Sequence, residues 1–454
     1  MSSKLVDNFA PRSRFEIMIA ISWVMWFLVG YHQHVDAISK HPIVCVLAFD
    51  GLRPDYVFRG QTPTLERLSR EGVHTQFLKN VFPTKTFVNF FSMATGMYAN
   101  KHGVLGNTVF NENGQCIGYG YELFHYNPAI TPIWTLNELS GEGRHSGVMM
   151  WVGQEYEYGN VIPTFSQANN RSMPWNDRID TTMTWLTHKE TPINLLYMYF
   201  EVPDSDGDKY GVKSDDVPKQ LKRVDLTIEY FLKQLTKHNL REKVNLIILS
   251  DQGMKDIDYN EVTDLKNILA PGSYTLCGEY PVLQLQLTQG FEVEAYTNLT
   301  KARDQLKTFE MYKKNEIPKK WYYTGNNRVT DLLLVAKLPY TFNDKTVQLR
   351  ADNGYDNAKL DMHAFFIAIG PLFREKYSVK QLRIIDLYAL VAYIMQMDAS
   401  KLVVKPDASL ARIVMILKSN VLEKVQNYNT RTILKYFVAL PRKSIGKRQS
   451  FVYS

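Results

Sequence analysis

Ile43-Val-Cys-Val-Leu-Ala-Phe-Asp50 is an apolar run that stops on a carboxylate. A run with no polar face suits a parallel strand covered on both sides by helices, not a strand half open to water. Two further segments have the same form. Leu195-Leu-Tyr-Met-Tyr-Phe200 passes through Glu-Val-Pro into Asp204, and Val244-Asn-Leu-Ile-Ile-Leu-Ser250 runs into Asp251. A single aspartate ending a strand is usually a turn residue. Three of them place Asp50, Asp204 and Asp251 at one edge of a sheet, where open α/β sheets bind ligands.

Val81-Phe-Pro-Thr-Lys-Thr-Phe-Val-Asn-Phe-Phe-Ser-Met-Ala-Thr-Gly96 reads as a loop turning into a helix that Gly96 ends. Thr86 falls at or just before the first helical turn. There its hydroxyl has two readings: an N-cap, or a group beside the unpaired N–H donors that attract an anion such as phosphate. A threonine at a helix start beside three strand-end aspartates points to a metal-assisted phosphoryl site.

The rest of the chain alternates in the β–α–β manner of a parallel sheet. Helices are expected over residues 62–72 (Thr62 as N-cap, Pro63 in the first turn), 131–139, 176–187 and 221–235. Strands are expected over residues 145–152 and 364–370, and a closing helical segment over 378–397. Gly103, Gly106 and Asn107 form a tight loop that brings Asn107 toward the same edge. Residues 262–349 mix short alternating strands with a helix expected over 301–312, the pattern of an inserted smaller lobe.

Composition fits a globular chain with a full core: of the 454 residues, 45% are apolar and 22% charged, which excludes global disorder. The net charge of +7 resides in the tail. Lys424, Arg431, Lys435, Arg442, Lys443, Lys447 and Arg448 follow Glu423 with no acidic residue among them. A basic tail of this kind is a solvated segment before it is a polyanion or membrane contact. No nucleic-acid readout is expected. Lys4, Arg12 and Arg14 precede an apolar run over residues 17–31. Its length, about 15 residues, suits a signal-peptide core with Val35-Asp-Ala37 as a cleavage site; an uncleaved signal-anchor is the alternative. Either sends the body of the chain into the secretory pathway, secreted or at the cell surface as a single-pass type II protein. Acceptor sequons at Asn170 and Asn298 agree with that. Of the three cysteines, Cys45 lies in the first strand as a buried thiol, leaving Cys116 and Cys277 as a candidate disulfide.

Taken together, Ala48-Phe-Asp-Gly-Leu-Arg-Pro-Asp55, Thr62-Pro-Thr-Leu65, Phe82-Pro-Thr-Lys-Thr-Phe87, Ala94-Thr-Gly-Met-Tyr98, Lys101-His-Gly-Val-Leu-Gly-Asn107, Pro203-Asp-Ser-Asp-Gly-Asp208, Ser250-Asp-Gln-Gly-Met254 and Gly354-Tyr-Asp-Asn357 resemble the nucleotide pyrophosphatase/phosphodiesterase family of the alkaline phosphatase superfamily. The resemblance covers roughly residues 42–410, in the family's order. It implies an α/β fold of the alkaline-phosphatase type, with a central, mostly parallel sheet flanked by helices and an inserted smaller lobe. The implied organisation is an N-terminal segment over residues 1–41, a bare catalytic domain over 42–415 and a basic tail over 416–454. It further implies Thr86 as nucleophile, Asn107 holding a phosphate oxygen and Phe87 stacking on a substrate base. Two divalent metal sites are implied: Asp50, Thr86, Asp251 and Gln252 for one, and Asp204, Asp208 and Asn353 for the other.

The chain departs from the family where it matters most. Asp208, Gln252 and Asn353 stand where the family places histidines. Carboxylate and amide oxygens suit Mg²⁺, Mn²⁺ or Ca²⁺; zinc prefers imidazole. The leading expectation is a family member impaired in zinc-dependent turnover. The alternative is an active phosphodiesterase, acting on nucleotide or phospholipid-type phosphodiesters, that uses Thr86 with one hard divalent cation.

Overall fold

All of β1 (Ile43–Phe49) is buried, as a run without a polar face requires. The computed structural model describes residues 38–258, 262–342, 350–419, 421 and 428–437, except for the side chains of residues 205, 206, 208 and 428–430. After β1 come β2 (Val73–Lys79), β3 (Ser146–Met149), β4 (Phe165–Gln167), β5 (Leu195–Phe200) and β6 (Val244–Leu249). A lobe follows, built from β7 (Tyr274–Glu279), β8 (Val282–Leu287), β9 (Phe309–Lys313) and β10 (Leu332–Ala336). β11 (Phe366–Ile369) and β12 (Tyr377–Arg383) then return to the first sheet.

The main sheet has eight strands in the order β12-β2-β11-β6-β1-β5-β3-β4. Its pairings are parallel except those of β11, which runs antiparallel to both β6 and β2. This is an alkaline-phosphatase-like, mostly parallel sheet flanked by helices. β1 lies between β5 and β6, with Phe49 level with Phe200 and Ala48 level with Leu249. Parallel strands in register end together, so Asp50 and Asp251 leave the sheet side by side. Asp204 follows β5 after a short turn, and its N–H donates to the Asp50 carbonyl at 3.0 Å. The lobe is a separate four-stranded antiparallel sheet, β7-β8-β10-β9. It closes over its own apolar core, including Leu283, Leu285, Leu299, Phe309 and Leu334.

The structure corrects several local expectations. Thr62 does not cap its helix: its hydroxyl donates to the Val57 carbonyl at 2.7 Å. Asp225, from the helix Asp216–Lys237, instead accepts the N–H groups of Thr64 at 3.1 Å and Leu65 at 2.9 Å. The helix expected over residues 301–312 lies earlier, at Glu292–Leu306, with two glutamates in its first turn and Lys307 left-handed at its end. Residues 309–313 are β9, whose burial alternates along the strand. Residues 377–383 are the edge strand β12, and only Asp386–Ile394 is helical in the expected closing segment. Both edge-side strands, β2 and β12, carry polar residues on their open faces, which weakens the apolar signal that marks central strands.

Asn170 is exposed, whereas Asn298 is half-buried within a helix. Among the described residues no helix is long and apolar enough to cross a membrane. The apolar run at residues 17–31 and the Val35-Asp-Ala37 site lie outside the described residues, as does most of the basic tail.

A buried ion pair fixes the turn that delivers Asp204. The fully buried Arg178 reaches Glu201, the residue after β5, at 2.7 Å and 3.2 Å. The arginine holds the Glu201 carboxyl below its usual range, against an opposing effect of burial that is the largest single influence. Removing one partner of such a pair leaves the other charge buried and uncompensated. Arg178→Met is therefore expected to destabilise the fold by about 3–5 kcal/mol, and Asp225→Ala by about 1 kcal/mol. Denaturant titration measures both; equal small losses would show that Arg178 merely packs.

Candidate active site

The segment leading to Thr86 is held by its own polar groups. Asn89 accepts the Val81 N–H at 2.7 Å, and its amide hydrogens face the carbonyls of Val81, Pro83 and Lys85. Thr84 donates to the Tyr355 carbonyl at 3.1 Å and accepts the Gly354 N–H at 2.9 Å. Lys85, in extended conformation, takes the N-cap place of the helix Thr86–Thr95. Thr86 is thus the first helical residue and not the cap, and its hydroxyl is left for the cleft.

Thr86, Asp50, Asp204, Asp251, Gln252 and Asn353 meet at the carboxyl ends of β1, β5 and β6. The hub is the Gln252 amide nitrogen. It lies 3.1 Å from Asp50 Oδ1, 3.3 Å from Thr86 Oγ1 and 3.3 Å from Asp204 Oδ1. Asn353 Nδ2 donates to the same Asp204 oxygen at 2.9 Å. Tyr199, on β5, donates to Asp50 Oδ2 at 2.8 Å, and the Gly51 N–H donates to Asp251 Oδ1 at 3.2 Å. Gly51 has φ +69°, and a Cβ there would sit 2.9 Å from Asp204 Cβ. Only glycine allows these two chain segments so close. The side chain of Asp208, on the helix Asp204–Tyr210, lies outside the described residues.

Burial sets the electrostatics. It pushes Asp50 well above the usual carboxylate range, with the neighbouring Asp204 and Asp251 adding to the rise. Asp251 is pushed up to about 8 by burial and by Asp204. Asp204 is also raised by burial, against the pull of Lys85 and its two amide donors. Behind them Lys85 Nζ pairs with Asp352 at 2.9 Å. Burial still raises Asp352 to about 6, with Lys85 opposing.

Asn107 stands at the start of the same helix. Its Oδ1 accepts the Phe87 N–H at 3.0 Å, and its Nδ2 donates to Glu279 of the lobe at 2.8 Å. Phe87 is half-buried and meets Tyr119 edge-on at 5.2 Å. Cys116 and Cys277 form a disulfide, and Cys45 is a buried thiol. Tyr199, Lys85, Asp352 and Glu279 were not anticipated as site residues. Lys85 and Asp352 each adjoin a residue that was, so adjacency was a usable signal. Glu279 comes from another lobe with no local mark.

Zinc prefers imidazole and thiolate ligands. His102 is fully buried, bonded to Ser92 Oγ at 2.8 Å and lowered to about 3 by burial; His363 stacks on Phe77 and bonds to the Asn357 carbonyl. Neither reaches the cluster. Among the described residues no group of three or more His, Cys, Asp and Glu side chains is arranged to hold a metal ion. Gln252 and Asn353 instead present donor nitrogens to carboxylates. Within the cluster as described, Asp251 Oδ2, Gln252 Oε1, Asp352 Oδ2 and Asn353 Oδ1 are buried without a hydrogen-bond partner.

The type I phosphodiesterase / nucleotide pyrophosphatase family model matches residues 44–356. Bis(5'-adenosyl)-triphosphatase of Xenopus laevis is 34% identical over 368 residues, covering 79% of this chain and 78% of the relative. Human ectonucleotide pyrophosphatase/phosphodiesterase family member 5 is 33% identical, covering 78% of this chain and 75% of the relative. Among solved structures, murine ectonucleotide pyrophosphatase/phosphodiesterase 5, in an inactive threonine-to-alanine form bound to AMP, superposes with a TM-score of 0.77. It is 31% identical, and the match covers 84% of this chain and all of that one. With Thr86 at a helix start facing three strand-end aspartates, the chain belongs to the type I phosphodiesterase / nucleotide pyrophosphatase family.

Proposed function

We propose that this chain holds a phosphodiester or nucleotide-like ligand at Thr86, Phe87 and Asn107, with zinc-dependent hydrolysis strongly impaired. The carrying observation is the Gln252 amide nitrogen, which contacts Asp50, Thr86 and Asp204 together. An amide donor there stabilises carboxylates but cannot make a threonine alkoxide, which needs a base or a Lewis acid. The AMP bound to the murine relative supports a nucleotide-like ligand. The N-terminal apolar run, the exposed sequon at Asn170 and the disulfide support a secretory-pathway protein, secreted or anchored.

A second reading has its own observation. The unpartnered oxygens of Asp251, Gln252 and Asn353 are buried acceptors of the kind a hard cation binds. With their amides turned, Gln252 and Asn353 could join Asp50, Asp204 and Asp251 around one Mn²⁺, Mg²⁺ or Ca²⁺. When bound, such an ion supplies charge stabilisation at the phosphoryl group.

Metal analysis of the purified chain, with hydrolysis of p-nitrophenyl thymidine monophosphate under each metal, separates the two. Impairment predicts no bound metal and equal background rates for the natural chain and Thr86→Ala. A cation-dependent rate lost in Thr86→Ala would overturn it. Replacing Asp208, Gln252 and Asn353 together by histidine is expected to raise the zinc-dependent rate by on the order of 100-fold, the scale of one charge-stabilising group.

The pH response of the metal-free fold is a further check. Asp251 titrates near 8 in the fold and near 4 when unfolded, so its cost is absent below about pH 4 and grows up to about pH 8. Stability of the metal-free chain should therefore fall as pH rises across that window. Asp251→Asn should flatten the slope of Tm against pH; an unchanged slope would count against a proton-neutralised cluster.

A further inference from the structure

Asn107 has a fixed amide orientation, because the Phe87 N–H can only donate and the Glu279 carboxylate accepts. One hydrogen of its Nδ2 is committed to Glu279 at 2.8 Å, leaving the other for a ligand. Two acceptors sharing one amide group lie roughly 5 Å apart, given ordinary hydrogen-bond lengths. A phosphate oxygen on Asn107 would therefore sit close to a carboxylate from the lobe. Glu279 is the last residue of β7, two positions after Cys277 and on the same face of the strand. Cys277 is bonded to Cys116, whose hairpin with Val109–Phe110 begins just after Asn107. The path from Asn107 to Cys116, across the disulfide and on to Glu279, is covalent, and the Asn107–Glu279 hydrogen bond closes it into a ring.

Resting on the reading of this cleft as a phosphate-ester site, we propose that Glu279, held by the Cys116–Cys277 disulfide, is a specificity-determining residue that rejects dianionic phosphomonoesters in favour of singly charged phosphodiesters. A monoester near neutral pH carries close to two negative charges and a diester carries one. The carboxylate repels the monoester by one additional charge pair at short range, in a setting less screened than bulk water.

The test compares binding of thymidine 5′-monophosphate and its methyl ester to the intact chain by calorimetry. The two probes differ by one methyl group and one charge. The natural chain should prefer the methyl ester. Glu279→Gln, which keeps an acceptor for Asn107 and removes the charge, should tighten the monophosphate about ten-fold relative to the ester. Raising salt from about 0.05 to about 0.5 M should erode the preference in the natural chain and leave the variant unmoved, a response that a purely structural glutamate would not give. Replacing both Cys116 and Cys277 by alanine should shift the ratio in the same direction as Glu279→Gln. Binding of both probes with the same ratio in the natural chain and Glu279→Gln would overturn the role of Glu279 alone. Binding of neither probe would overturn the phosphate-ester reading along with it.

Discussion

Three carboxylates buried at one sheet edge form the constraint to which the rest of the site answers. Isolated buried carboxylates are among the most costly groups a protein can contain. Here Asp50, Asp204 and Asp251 are brought together by strand register, not by side-chain attraction. Their charge must be offset locally. Tyr199, the Gly51 N–H, Gln252 and Asn353 all donate to them, while Lys85 acts from behind through Asp352. Burial and repulsion from neighbouring carboxylates hold Asp50 and Asp251 above the ordinary carboxylate range.

Seen this way, the amides at positions 252 and 353 are not inert replacements. A neutral imidazole with its acceptor nitrogen directed at a metal would leave the carboxylates to that metal. A side-chain amide offers both a donor and an acceptor, and at both positions it is the donor that meets the aspartates. The acceptor oxygens are left buried without partners. The same cluster can therefore be read as internally satisfied or as waiting for a hard cation, and the choice turns on which way two amides face.

The central strands were legible in the sequence because burial on both faces leaves nothing but apolar side chains. The strand-end aspartates followed from the same runs. β2 and β12 escape the pattern because strands near an open edge carry polar residues, and residues 309–312 read as helix because a short alternating strand follows a true helix with only Lys307 and Thr308 between them. Local sequence offers Thr62 as the cap of the helix Pro63–Glu71; the carboxylate that accepts its first N–H groups, Asp225, lies on another helix. Glu279 was invisible for the same reason, since its hydrogen bond with Asn107 joins residues 172 positions apart.

The close approach at Gly51 bears on how such a domain can drift. Asp251 anchors the backbone at Gly51, and the Asp204 N–H is bonded to the carbonyl of Asp50. Asp251 is thus part of the architecture as well as a chemical group. Its carboxylate has a use in the fold that does not depend on turnover. Positions 252 and 353 reach Asp50 and Asp204 through their side chains, so chemistry can be rewritten there while the masonry stands.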